Sequence, residues 1–519
     1  MRMHASKAIV SVVAVLGVAG SALAQIGPRL GQYPDVIVSS VGGSYDSSSG
    51  GIGSYGAANG WAAYALGSDS CNIGANGAIW IASNNQHPVI GGAVYRSFNG
   101  RFEQIGMSWL KHGFCAADNC SSGNSSGGQQ GCLNIRGPAA GTTGCVTDHN
   151  SAGGCDWLGD GRATDTYGSG LNGSQGYLGP RSEIQAWTGV YPYPYVRQGS
   201  NSNTCLNKRL LVRTTDLDPA NYPRYNASTN PTGAQYFGEV VYIMSDEWPT
   251  ERYDNYSYRK ITVGNLVTGP TGCNQQYYGM DFTSGAGNLT VAMHPAIDAW
   301  QAADPSVVIA YGNSPNDGRF YVGAKVTNMG GGFWSYEYAV FNMNSDRSAA
   351  GFSIPKSSST ALQIAEVGFH APEYHSGEPF ALKPWDNTIT ANSIAWTTDP
   401  YASNANANAI RWSTLYNFRF VANQPPKTAA NSPIRLSLFK PGVQVTDASF
   451  IDIAGLPVPG DPPSCRADFN GSGQLEAQDI FDFLSAWFAG DIRADYNGVN
   501  GLNAQDIFDF LGAWFSGCP

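Results

Sequence analysis

Two stretches of this chain place oxygen-bearing residues at the spacing a calcium ion requires. Residues 467–490 read ADFNGSGQLEAQDIFDFLSAWFAG and residues 494–517 read ADYNGVNGLNAQDIFDFLGAWFSG, a repeat of period 27. Each copy opens with a 12-residue stretch bounded by aspartates, Asp468 to Asp479 and Asp495 to Asp506. A hard cation takes about six to eight oxygens, and such a loop supplies them from positions 1, 3, 5, 7, 9 and 12. In the first copy these are Asp468, Asn470, Ser472, Gln474 through its backbone carbonyl, Glu476 and Asp479. Gly473 sits at position 6, where the turn is sharp. In the second copy Asp495, Asn497, Gly501, Asn503 and Asp506 remain, but Val499 at position 5 has no side-chain oxygen and Asn500 replaces the glycine. The second loop is therefore expected to bind calcium more weakly.

The loops need helices behind them. Ile480, Phe481, Phe483, Leu484, Trp487 and Phe488 recur at the spacing of one buried helix face. Residues 465–519 hold eight acids and two bases, Arg466 and Arg493. Their mutual repulsion opposes folding until a cation neutralises it, so metal binding and folding are expected to be linked. The alternative is an acidic helical hairpin without metal.

This pair of loops resembles a type I dockerin, with Asp in place of Glu at position 12. Cys465 and Cys518 bracket the unit, which is similar to the GC-type dockerins at the C-termini of exported bacterial proteins. The resemblance implies a small all-α module that binds a cohesin partner. It implies contact through loop positions 10 and 11, here Ala477, Gln478, Ala504 and Gln505, and along the following helix. Duplication gives two nearly equivalent faces. It also implies a disulfide between Cys465 and Cys518 that clasps the ends.

The rest of the chain sets the context. Arg2 and Lys7, the apolar run Ile9 to Ala19 and the Ala22-Leu23-Ala24 site read as a secretory signal peptide over 1–24. Its removal moves the net charge from −10 to −12. No later stretch has 18 consecutive apolar residues, so no transmembrane segment is expected after cleavage. An acidic chain is a poor nucleic-acid binder. All 10 cysteines follow the cleavage site, and an even count in an exported chain favours disulfides. Five lie within 115–155, which is rich in Gly, Ser and Asn, and no C-x2-C spacing there suggests zinc. Secretion to an extracellular or cell-surface location is expected.

Charged residues are only 13% of the chain, while aromatics reach 12%. With 64 Gly, this points to many short strands joined by tight turns. The fold class expected is mainly β, with a sandwich-like body and disulfide-rich loops, followed by the small helical module. The boundaries expected are a β-rich body over 25–311, a sandwich-like domain over 312–454 and a proline-rich linker over 455–464. Strands are expected at Val89–Tyr95, Arg101–Trp109, Leu210–Arg213, Tyr236–Met244, Tyr258–Val263, Phe320–Val326, Phe333–Phe341, Ile389–Trp396 and Leu415–Val421, and a helix at Pro295–Ala303. The body resembles a family of exported bacterial proteins that carry this anchor. The resemblance rests on Asn85–Ile90, Arg101–Gly106, Lys111–Phe114, Leu178–Glu183 and Tyr374–Pro379, and implies no activity.

The body's own chemistry is sparse. His370 and His375 flank Pro372 and cannot share a helix face; a metal there would need His87 or His112 as well. Catalytic residues are not identified. A glycosidase would need two facing carboxylates, for which Glu103, Glu183, Asp216, Asp218, Glu239, Glu337 and Glu378 are candidates. The leading reading is an exported, non-catalytic β-rich body (a surface, adhesive or glycan-binding component) tethered by a calcium-dependent dockerin. The second is a dockerin-anchored hydrolase acting on polysaccharide.

Overall fold

The computed structural model describes residues 33–43, 51–74, 76–116, 155–159, 163–196, 204–247, 251–285, 288–330, 333–358, 362–428, 433–444, 446–460, 465–470, 472, 474–497 and 501–517. The expected signal peptide lies outside the described residues. So do Cys120, Cys132, Cys145, Cys518, Gly473, Val499, Asn500 and residues 461–464. Among the described residues the chain is mostly β, with short helices in the body and two longer ones at the C-terminal end. No helix among them is long and apolar enough to cross a membrane.

The first half is built on a curled antiparallel sheet. Its strands run Gln276–Phe282, Tyr256–Thr268, Gln235–Ile243, Val89–Phe98, Arg101–Met107, Leu210–Arg213, Trp61–Leu66 and Ile52–Ala58. The two edges meet: the Ala57 N–H donates to the Cys273 carbonyl (2.9 Å) and the Gln275 N–H donates to the Ala57 carbonyl (3.1 Å). Gly56 makes this approach possible, since a Cβ there would lie 2.6 Å from the Cys273 carbonyl oxygen. The Cys205–Cys273 disulfide fastens the same seam, and Cys115–Cys155 closes the neck of the cysteine-rich stretch. A smaller sheet, Val36–Val41 with Ser68–Asn72 and Thr164–Tyr167, adds Val36, Val38 and Tyr167 to the core inside the curl.

The second half is a sandwich of two five-stranded sheets. One runs Val308–Asn313, Arg319–Gly330, Phe333–Asn342, Thr414–Ala422, Ile364–His370; the other runs Asp386–Ile389, Ser393–Thr397, Ala349–Pro355, Ile434–Leu438, Phe450–Ile453. Tyr336, Tyr338, Phe418 and Phe420 from the first interleave with Phe352, Ile394 and Trp396 from the second. Tyr336 and Tyr338 alternate along the expected strand Phe333–Phe341 and share that face. The opposite face is buried too. Ala339 and Phe341 pack with Tyr95, Phe102, Tyr256 and Trp300 of the first half.

Four expected boundaries fall differently in the structure. The division at 311/312 falls inside the strand Val308–Asn313, and a shared core joins the halves. Gln104 seals that junction by donating to the Ser413 carbonyl and accepting from the Leu415 N–H (3.1 and 2.8 Å). The linker does not begin at 455: Pro457–Pro459 pairs with Pro426–Thr428, and Leu456 and Val458 are buried. Proline's extended backbone suits an edge strand as well as a linker, and the alternating apolar residues decide for the strand. The strand expected over 389–396 is a hairpin. The Thr390 N–H donates to the Ser393 carbonyl (2.9 Å), turning the chain between two short strands. The expected helix over 295–303 is the shorter Asp298–Ala303.

Candidate functional site

The C-terminal unit is two loop-helix repeats facing each other. Helix Ala477–Phe488 is capped by Glu476 and Asp479, and helix Ala504–Ser516 by Asn503 and Asp506, each pair forming a reciprocal capping box. Between the helices Phe483 and Phe510 stack in parallel, with ring centroids 4.0 Å apart. Phe469 and Tyr496 meet them edge-on. Trp487 Nε1 donates to the Asn503 carbonyl (3.1 Å) and Trp514 Nε1 donates to the Glu476 carbonyl (3.3 Å). Each pair is related by the 27-residue repeat, so the unit is pseudo-two-fold.

In the first loop the expected ligand atoms converge. Asp468 Oδ1 and Asn470 Oδ1 both accept from the Ser472 N–H at 2.9 Å. Ser472 Oγ donates to the Gln474 carbonyl at 3.2 Å. Oxygens from positions 1, 3, 5 and 7 thus share one small volume, the donor set a hard cation favours. Asp479 accepts from the Asn470 N–H (3.2 Å) and the Glu476 N–H (2.9 Å), which ties position 12 to the loop. Glu476 itself serves as the helix cap.

The second loop repeats this in part. Asp506 accepts from Asn497 N–H (3.2 Å) and Asn503 N–H (2.8 Å). The Asn503 and Asn497 amides hold its carboxyl below the ordinary range. Gly501 takes a left-handed backbone, φ 66°, and its carbonyl accepts from Asn503 Nδ2 (2.7 Å). Among the described residues no donor reaches the buried Asp495 Oδ1, a cost a cation would remove. Both loops therefore fit calcium by donor type, the first with the fuller set. Among the described residues no group of three or more His, Cys, Asp or Glu forms a metal cluster. The loops instead mix carboxylates with amide, hydroxyl and carbonyl oxygens.

Two residues that position the loops lie outside the expected set. Asp482 accepts from Asn470 Nδ2 (3.3 Å) and Gln478 Nε2 (2.9 Å); Asp509 accepts from Asn497 Nδ2 (2.8 Å) and Gln505 Nε2 (2.9 Å). Holding the Asn470 amide nitrogen turns its oxygen into the loop. Those amide hydrogen bonds also hold the Asp509 carboxyl low. The signal was available: an aspartate 12 residues after Asn470 and again 12 after Asn497.

The expected buried helix face needs correction. Phe483 is buried and Ile480, Leu484 and Trp487 pack against it, but Phe481 and Phe488 are 62% and 77% exposed. Their counterparts Phe508 and Phe515 are 68% and 75% exposed. Gln478, Phe481 and Phe488 form one exposed stripe, and Gln505, Phe508 and Phe515 repeat it; Ala477 and Ala504 are exposed beside them. The core between two short helices has room for one aromatic layer, so the remaining phenylalanines face outward. Cys465 is disulfide-bonded.

In the body the quoted segments come together. His87 Nδ1 donates to the Ile81 carbonyl, so its Nε2 accepts from His112 Nδ1 (2.9 Å). His112 stacks on Tyr195 at 3.5 Å, and Gly179 lies so close that a Cβ would sit 2.5 Å from His112 Nε2. His375 Nε2 donates to the Met107 carbonyl (2.6 Å), and burial pushes its pKa down to about 4. Lys111 is buried over Phe114, Tyr167 and Tyr177, and burial lowers it to about 7.

The candidate carboxylates serve as structural acceptors. Arg96 bridges Glu103 (2.8 Å) and Asp216 (2.9 Å). Glu337 pairs with Arg101 (2.9 Å). Glu378 accepts from the Arg181 and Ser182 N–H groups (2.6 and 3.3 Å), and Glu183 from Val196 N–H (3.1 Å). Glu239 is buried between Tyr95 Oη (2.8 Å) and the Ala296 N–H (2.6 Å), where burial raises it to about 7. Asp218 accepts from Tyr278 Oη (3.2 Å). None of the seven lines the two larger cavities described. No protein-family model matches this chain, and no curated protein matches it.

Proposed function

We propose that residues 465–519 are a calcium-dependent docking module of the dockerin kind, through which an exported, non-catalytic β-rich body attaches to a cohesin-type partner. The observation that carries this reading is the duplicated stripe: Phe481 with Phe488, and Phe508 with Phe515, exposed on two helices that pack by pseudo-two-fold symmetry. Exposed aromatic pairs of this kind mark a protein-binding surface. Calcium would be held by Asp468, Asn470, Ser472, the Gln474 carbonyl and Asp479. In the second loop Asp495, Asn497 and Asp506 would hold it. The ion supplies the positive charge that an acidic loop lacks. The Cys115–Cys155 and Cys205–Cys273 disulfides suit an oxidising, extracellular location.

The test uses the full chain, stripped with chelator and titrated with calcium by calorimetry while helix content is followed by circular dichroism. One to two ions per chain, a gain in helix and capture by an immobilised cohesin only with calcium are expected. The Phe481→Ala/Phe508→Ala variant should keep its calcium and lose capture. No calcium uptake, or capture that survives chelator, overturns the reading.

A further inference from the structure

A cavity of about 220 Å³ opens between the two halves of the body. Arg181 reaches it from the first half and Arg411 from the sandwich, with exposures of only 4% and 6%. Arg181 Nε donates to the Ser108 carbonyl (2.6 Å) and Nη2 to the Gly92 carbonyl (3.0 Å), but Nη1 is buried without an acceptor. Arg411 Nη2 donates to the Ala405 and Ala407 carbonyls (2.9 and 3.1 Å), but Nε is buried without one. Neither guanidinium is ion-paired among the described residues. Lys440 and Asp346 also line the cavity and neutralise each other (2.9 Å). Two buried cations without a direct ion pair among the described residues therefore meet at one small cavity, with Glu378 and Glu239 acting on Arg181 and Asp346 on Arg411 only at longer range, an arrangement that leaves room for an anion.

The walls narrow the choice of anion. Trp412, Tyr374 and Tyr401 present aromatic surface, and the cavity has room for one six-membered ring with its substituents. Flat apolar walls beside hydroxyl and guanidinium donors suit a sugar ring whose carboxylate meets the arginines. We infer that this cavity binds one carboxylate-bearing sugar unit, a hexuronate, held by Arg181 and Arg411 against Trp412 and Tyr401. The site adds a ligand to the body and does not depend on the docking reading.

The test is calorimetry on the full chain with glucuronate and galacturonate, beside glucose, galactose and inorganic sulfate. Chelator is present throughout, so that a uronate bridging to calcium in the C-terminal loops does not register and the two readings can fail separately. One uronate per chain is expected, with neutral hexoses and sulfate each at least tenfold weaker. Arg411→Gln should weaken uronate at least tenfold. Tyr401→Ala, at the exposed rim, should weaken it several-fold while leaving the melting temperature unchanged. Should Arg411→Gln fail to fold, Tyr401→Ala and the ligand series decide. Absence of uronate binding overturns the inference. So does equal affinity for neutral hexose or for sulfate, or binding that Tyr401→Ala leaves intact.

Discussion

Phe483 and Phe510 hold equivalent places in the two repeats and lie face to face, centroids 4.0 Å apart and planes within 1° of parallel. The contact sits on the axis that exchanges the repeats. The packing around it comes in pairs: the edge-on rings of Phe469 and Tyr496, the crossed tryptophan hydrogen bonds, the exposed phenylalanines. The pairing makes the module's behaviour predictable by symmetry.

Phe483→Ala and Phe510→Ala should therefore destabilise the module equally. Loss of a buried phenylalanine costs about 3–5 kcal/mol, a large share of what so small a unit has. Chelator titration followed by circular dichroism should show both variants losing helix at similar, much higher calcium. Unequal effects would show that the repeats are not energetically equivalent.

The tryptophan hydrogen bonds cross between repeats. Trp514 supports the Glu476 carbonyl of the first loop, and Trp487 supports the Asn503 carbonyl of the second. Trp514→Phe should thus weaken calcium binding in the first loop, and Trp487→Phe in the second. A lost neutral hydrogen bond is worth about 1 kcal/mol, or about fivefold in affinity. Site-resolved calcium titration by NMR checks it, and a loss confined to the mutated repeat would contradict the crossed geometry.

Asp482 orients Asn470 without any place in the loop itself. Asp482→Ala should lower calcium affinity of the first loop several-fold and leave helix content at saturating calcium unchanged. Asp509→Ala should do the same to the second. Calorimetry on the full chain separates this from unfolding, because the stoichiometry stays constant while affinity falls.

Glu239 makes the body's stability depend on pH. Burial raises its carboxyl to about 7, above the ~4.3 of an unfolded chain. The folded state therefore keeps a proton that the unfolded state has lost between about pH 4.5 and 7. This group's contribution is greatest below that window and declines as pH rises through it, by on the order of 3 kcal/mol. Glu239→Gln removes the charge and keeps a polar partner on each side, its amide oxygen accepting from the Ala296 N–H and its amide nitrogen donating to Tyr95 Oη. Denaturant melts should show the variant gaining on the wild type from pH 5 to pH 8; a constant difference would place the titration elsewhere.

The Cys205–Cys273 disulfide closes a loop of 68 residues at the seam of the curled sheet. Cys205→Ser/Cys273→Ser should lower stability by about 4 kcal/mol through the freed unfolded chain. Thermal melts under non-reducing conditions measure it, and an unchanged midpoint would show that the backbone bonds at Ala57 hold the seam unaided.

The C-terminal module was the most legible part of the chain because its information is local. Loop oxygens, caps and helix follow one another within 27 residues, and the second copy repeats them. Strands with a dominant residue pattern were legible too, such as Leu210–Arg213 and Leu415–Val421. Val36–Val41 was missed because Ser39 and Ser40 interrupt its apolar run, yet both serines are buried. Alternation fails as a signal where both faces of a strand are covered.

What only the tertiary structure decided is everything that needs two distant segments at once. Composition cannot show that Ala339 and Phe341 face a second core, or that Glu103 and Asp216 share Arg96 rather than a substrate. The helix pattern named six apolar residues but not the two phenylalanines left outside, because that depends on how much room the opposing helix leaves. Arg181 and Arg411 are 230 residues apart, and no sequence spacing links them. The sequence by itself determined the repeats, the β-rich class and the oxygen-bearing residue types of the two loops. Long-range packing decided which side chains became buried, paired or exposed, since burial is a property of the neighbours a residue meets and not of its place in the chain.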